Sequence, residues 1–149
     1  MLTKRKLIII SICIILVASA VAVYFILHNS PMNFIESKLK FNLPKESKII
    51  NYRQHGNFIK AKVLIKRESI NDLKENLKNT IKSYPVKDAE DMTITKNSVP
   101  WWDLDNRDIE DMYMKWVDED KLFDYPEPHQ LWAVISKNKD GQYYLYLSY

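Results

Sequence analysis

Residues 130–149 read QLWAVISKNKDGQYYLYLSY. Two runs rich in aromatic and branched residues, 130–137 and 142–149, flank Asn138-Lys139-Asp140-Gly141. Asn, Asp and Gly are the residues that tolerate the backbone of a tight turn, so the stretch predicts a β-hairpin. In its second arm Tyr143, Leu145, Leu147 and Tyr149 share one face, and Tyr144, Tyr146 and Ser148 the other. Alternation of this kind is a strand's period of two, and it guarantees burial of one face only.

Upstream, residues 48–55 and 57–67 predict a second hairpin around His55-Gly56-Asn57. Ile59, Ala61, Val63, Ile65 and Arg67 alternate there with Phe58, Lys60, Lys62, Leu64 and Lys66, so the first set is expected inside and the lysines largely in water. Ser30-Pro31 suits a helix start through Lys40, with Phe34, Ile35 and Leu39 on one face. Ser69 is expected to cap a second helix, whose face carries Ile70, Leu73, Leu77, Ile81 and Tyr84 and which Pro85 stops. Asp72 near its start and Lys78 and Lys82 near its end complement the helix dipole. Residues 86–100 read as a polar loop with room for a short strand at Met92–Thr95. Ile109, Met112, Tyr113 and Trp116 fit one helical face within residues 105–118, with a strand as the alternative. The fold class expected is α+β: a small antiparallel sheet of about four strands in two hairpins, packed on one or two helices.

Ahead of this domain, residues Leu7 to Leu27 form twenty-one positions without a charge. As a helix they reach roughly 31 Å, the thickness of a bilayer's hydrocarbon core. Lys4, Arg5 and Lys6 precede the run, and no Lys or Arg follows until Lys38. Positive charge stays on the cytoplasmic side, so residues 1–6 are expected inside, 7–27 across the membrane as a signal anchor, and 29–149 outside as one extracytoplasmic domain. The competing reading is a cleaved signal peptide, with Ala18-Ser19-Ala20 as the small-x-small site. Against cleavage, Val21 to Leu27 would leave a greasy new terminus.

Composition removes several function classes. Cys13 is the only cysteine and lies within the apolar run, so no intrachain disulfide is possible. The two glycines, Gly56 and Gly141, rule out glycine-rich phosphate cradles. Residues 31–87 carry thirteen Lys/Arg against five Asp/Glu, and residues 88–149 carry six against fourteen. The outer domain is therefore neutral overall and dipolar, a poor match for nucleic acid. Its halves are expected to satisfy one another. The acidic group Asp103, Asp105, Asp108, Glu110 and Asp111 has oxygen ligands of the kind Ca²⁺ takes, but lacks the glycine and terminal glutamate of an EF-hand. A helix start explains it with less. His55 and His129 have no partners at zinc-binding spacing, and no serine stands in a nucleophile elbow. No catalytic residue, metal or cofactor is expected.

The aromatic residues are the functional lead. Adjacent Trp101 and Trp102 follow Pro100 in a loop and are the candidate binding residues, with one of them partly exposed; Trp116 and Trp132 are expected in the core. Tyr125 adds to the same aromatic excess. The function expected is a single-pass membrane-anchored, extracytoplasmic binding or accessory protein of a bacterial envelope, without enzymatic activity. Its partners would be the lipid bilayer, through residues 7–27, and a protein or envelope polymer. Alternatives are a secreted or anchored hydrolase using two carboxylates between Asp103 and Glu127, or a structural subunit of a membrane complex.

Overall fold

The computed structural model describes residues 4–28, 30–86, 99–117 and 129–149. The expected short strand at 92–95, Tyr125 and Glu127 lie outside the described residues. Among those described, the chain is α+β, with three α-helices and a six-stranded antiparallel sheet. The helices are α1 (Lys4–His28), α2 (Pro31–Leu39) and α3 (Ile70–Thr80). The strands are β1 (Lys48–His55), β2 (Phe58–Ile65), β3 (Lys82–Tyr84), β4 (Ile109–Val117), β5 (His129–Lys137) and β6 (Tyr143–Ser148), in the spatial order β1-β2-β6-β5-β4-β3.

The chain divides into two compact units, residues 1–37 and 38–149. In the first, α1 carries the whole apolar run, and all its described side chains, residues 11–24, are exposed. Those fourteen positions cover about 21 Å. Among the described residues no helix is long and apolar enough to cross a membrane. Ser30 opens α2 as expected, its Oγ accepting from the Asn33 amide at 3.2 Å.

In the second unit both expected hairpins form. Gly56 and Gly141 take φ +57° and +77°, the left-handed geometry that glycine adopts without cost. Asn138 organises the second turn: its Oδ1 accepts from the amides of Asp140 (3.1 Å) and Gln142 (2.9 Å). Strand β6 stitches the hairpins together. Ala61 and Ala133 flank Leu147, and Val63 and Ile135 flank Leu145, so these residues share one face and all are fully buried or nearly so. Leu73 and Leu77 of α3 are fully buried as well, and Lys74 of α3 reaches Glu110 (2.9 Å) and Asp111 (2.6 Å) on β4.

The sheet is larger than the expected four strands, for two physical reasons. The helix expected to continue to Pro85 ends at Thr80, and Lys82–Tyr84 pairs with Met112–Met114 as an edge strand. A residue before proline is pushed out of helical geometry, so Tyr84 is extended. Residues 109–117 are a strand rather than a helix: Met112 and Tyr113 are adjacent and both buried, because this strand is covered on both faces. A bulge between Ile109 and Asp111 further breaks the alternation. Ser69 does not cap α3 with its side chain; a 3₁₀ turn over Arg67–Ser69 leads directly into the helix. Asp105 caps a 3₁₀ turn ahead of β4, its carboxylate accepting from the Arg107 amide at 2.9 Å.

Candidate functional site

The opposite face of the sheet holds a second core: Val99, Trp102, Leu104, Ile109, Met112, Trp132, Val134 and Tyr146. Residues 99–104 fold back onto it through a turn in which the Trp102 amide donates to Val99 O at 3.0 Å. That turn sends the adjacent tryptophans to different places. Trp102 is 1% exposed, edge-on to Tyr146 with ring centres 5.2 Å apart. Trp101 is half-buried and leans on Trp102 at 5.8 Å. Trp101 is therefore the member of the pair with a surface to offer.

Around Trp102 the β2 lysines do something the sequence reading missed. They alternate with the buried residues of β2, yet they do not simply stand in water. Lys62 faces Tyr146 across the strand pair, and its Nζ lies 4.5 Å from the Tyr144 ring centre and 5.4 Å from that of Tyr146. Lys60 Nζ lies 4.7 Å from the Trp102 ring centre. Cations over ring faces are held by the ring quadrupole, while the aliphatic stems cover apolar surface. The signal was present in the sequence: tyrosines alternating on β6 require something to cover both faces.

Asp103 closes the cluster. Its carboxylate takes Lys62 Nζ at 2.7 Å and accepts from the Tyr146 hydroxyl at 2.7 Å. Partial burial pushes the Asp103 pKa up, but the bonds from Lys62 and Tyr146 and the Lys62 charge outweigh it, leaving it below the usual carboxylate value. Burial first, and then the Asp103 bond, push the Tyr146 phenol well above its ordinary value.

Three of the remaining acids of the 103–111 group have separate partners. Asp105 is gripped by Arg107, whose hydrogen bonds lower its pKa to about 2. Glu110 and Asp111 share Lys74. The five acids do not converge, and among the described residues no three ligand-type side chains are placed to hold a metal ion. The expected compensation between basic and acidic halves is visible in Lys62–Asp103 and in Lys74 with Glu110 and Asp111. Asp103 and Asp105 are both held below the usual carboxylate value, so neither is the raised-pKa acid that the hydrolase alternative would use; its candidates between residues 118 and 127 lie outside the described residues.

Of the other sequence candidates, Trp132 is buried as expected, edge-on to Tyr84 at 5.5 Å, with its Nε1 donating to Gln130 Oε1 at 2.9 Å. Trp116 is not in the core: it is 52% exposed on β4. His55 is exposed at the β1–β2 turn, and His129 opens β5. No family model, curated protein or solved structure matches this chain.

Proposed function

We propose that this is a single-pass membrane-anchored protein whose extracytoplasmic α+β domain binds a protein or polymer of the bacterial envelope and turns over no substrate. The observation that carries the reading is the surface of α1. Ile12, Ile14, Ile15, Leu16 and Val17 are each more than half exposed, and Val21, Val23 and Tyr24 about half. A contiguous apolar patch of this kind is unfavourable in water and favourable in lipid. Lys4, Arg5 and Lys6 ahead of it orient the domain outward. The binding role is supported by Trp101 at the edge of a preorganised aromatic and lysine cluster.

The test is protease treatment of cells with the outer envelope opened, followed by fractionation. The expected result is a full-length chain in the membrane fraction, trimmed from outside to a short protected fragment. A soluble chain beginning near Val21 would overturn the anchor.

A further inference from the structure

The sheet ends at β1, whose outer backbone edge meets no other strand among the described residues. The register fixes which groups that edge presents. The Ile59 amide donates to Tyr149 O and the Tyr149 amide donates back to Ile59 O, both at 2.9 Å, so Ile59 turns its backbone toward the β6 side. Its neighbours Phe58 and Lys60 turn theirs toward β1, and their partners there, His55 and Arg53, face inward. Tyr52 and Gln54, alternating with these, point their amides and carbonyls out of the sheet. Neither bonds through its backbone to a turn or loop among the described residues.

The edge admits a short visiting strand rather than an endless ladder. A bulge between Ile49 and Asn51 interrupts it and leaves residues 51–55 as the regular part. Ile50, at the bulge, is 42% exposed and offers an apolar contact beside that part. The opposite edge of the sheet, β3, is three residues long.

Charge says what kind of strand fits. Strands β1 and β2 contain no Asp or Glu. Lys62 has Asp103, but Lys48 and Arg53 on the edge strand itself are exposed and make no ion pair among the described residues. Because Arg53 turns its backbone inward, a residue opposite it on an added strand takes the narrower, non-hydrogen-bonded spacing, where side chains are closest. An acid at that place pairs with Arg53. A second copy of this chain would instead bring Lys48 and Arg53 of both molecules to one seam, with no acid from either edge strand to offset them.

We propose that β1 is a docking edge for an extended acidic segment of a partner protein, which extends the six-stranded sheet through the backbone groups of Tyr52 and Gln54 and places a carboxylate opposite Arg53. Strand addition of this kind draws affinity from the backbone and specificity from alternate side chains. The proposal rests on the binding role stated above and names the chemistry of the partner.

The probe is the synthetic peptide Thr-Val-Glu-Val-Glu-Val-Thr, added to the isotope-labelled full-length chain in an uncharged detergent and followed by amide exchange and chemical shift. In the free protein the amides of Tyr52 and Gln54 are expected to exchange quickly and that of Arg53 slowly. Saturating peptide is expected to slow Tyr52 and Gln54 by about tenfold or more. Replacing the peptide's glutamates by lysine, or N-methylating its amides, is expected to weaken binding by about tenfold or more. Arg53→Gln should weaken binding about threefold, the worth of an exposed cross-strand ion pair. Lys78→Gln, which removes an exposed charge on α3, should change little. Arg53 is exposed, so its variant is not expected to disturb the fold. Absence of binding, equal binding of the N-methylated peptide, or equal losses in the Arg53 and Lys78 variants overturns the docking edge. Protection of Tyr52 and Gln54 that grows with protein concentration, without peptide, overturns the acidic partner in favour of a second copy. None of these results bears on the protease experiment, so the edge and the anchor fail independently.

Discussion

The hydroxyl of Tyr146 donates to Oδ1 of Asp103 at 2.7 Å, joining the central strand to a loop 43 residues earlier in the chain. The same carboxylate holds Lys62, so one acid fixes both the loop over the second core and the lysine beneath it. Asp103 is itself two-thirds exposed, which moderates the energy of these bonds. Tyr146→Phe is expected to cost about 1 kcal/mol, the net worth of one hydrogen bond, measured as a shift in urea midpoint.

Acid sensitivity follows from the same carboxylate. The folded-state pKa of Asp103 is depressed, so its stabilisation is complete above its unfolded value of about 4 and is lost as pH falls through the folded value. The stability gap between wild type and Asp103→Asn should be open at pH 6 and close as the solution approaches pH 2. A gap that stays constant across that range would remove Asp103 from the acid response.

The two tryptophans separate cleanly. Trp102→Ala empties a fully buried site and is expected to cost about 3–5 kcal/mol, enough to threaten the fold of a small domain. Trp101→Ala, at a half-buried position, is expected to cost about 1 kcal/mol and to spare the near-UV dichroism of the core. Partner capture should therefore be compared between wild type and Trp101→Ala alone. Unchanged capture would remove Trp101 from the binding surface.

Tyr113 places a buried hydroxyl on β4 with no hydrogen-bond partner among the described residues. Tyr113→Phe is expected to be neutral or stabilising by up to about 1 kcal/mol, because nothing is left unpaired. Burial raises the Tyr113 pKa to about 12, so its folded form resists ionisation and stability falls as pH rises above the unfolded value of about 10. Denaturant titrations between pH 10 and 12 should show a shallower decline for the variant.

Lys62 tests the cation over the rings. Lys62→Met keeps the apolar stem and loses the charge, and is expected to destabilise by about 1 kcal/mol, whereas Lys62→Ala, losing both, is expected to cost about 2 kcal/mol. Equal effects in a urea titration would mean that only the charge matters, and an unchanged midpoint in Lys62→Met that only the stem does.

Both hairpins were legible in the sequence because their strands alternate and their turns carry Gly56 and Gly141 in left-handed geometry. Strand β4 was not. A strand buried on both faces has no period of two, and Ile109, Met112, Tyr113 and Trp116 happen to fall at helical spacing. The same two-sided burial hid the second core. Trp102, Tyr146 and Trp132 come from three separate segments, and no local pattern announces that they meet. Strand β3 was concealed by Ile81 and Tyr84 continuing the rhythm of α3 beyond its end. Trp101 and Trp102 were recognisable as a pair, but which of them faces outward depends on the turn at Val99.

The position of β6 between β2 and β5 has a consequence for biogenesis. The β1–β2 ribbon and the β3–β4–β5 segment lack their shared neighbour until residues 143–148 have been made and delivered. A chain emerging N-terminus first would carry the β1–β2 ribbon with a bare hydrogen-bonding edge from Ile65 until β6 is made, joined only near the end, at Lys137, by a second unclosed half-sheet. Closure of this domain is thus a late event that waits for nearly all of its residues, and a chain truncated before Tyr143 should be a substrate for quality-control proteases rather than a partly working protein.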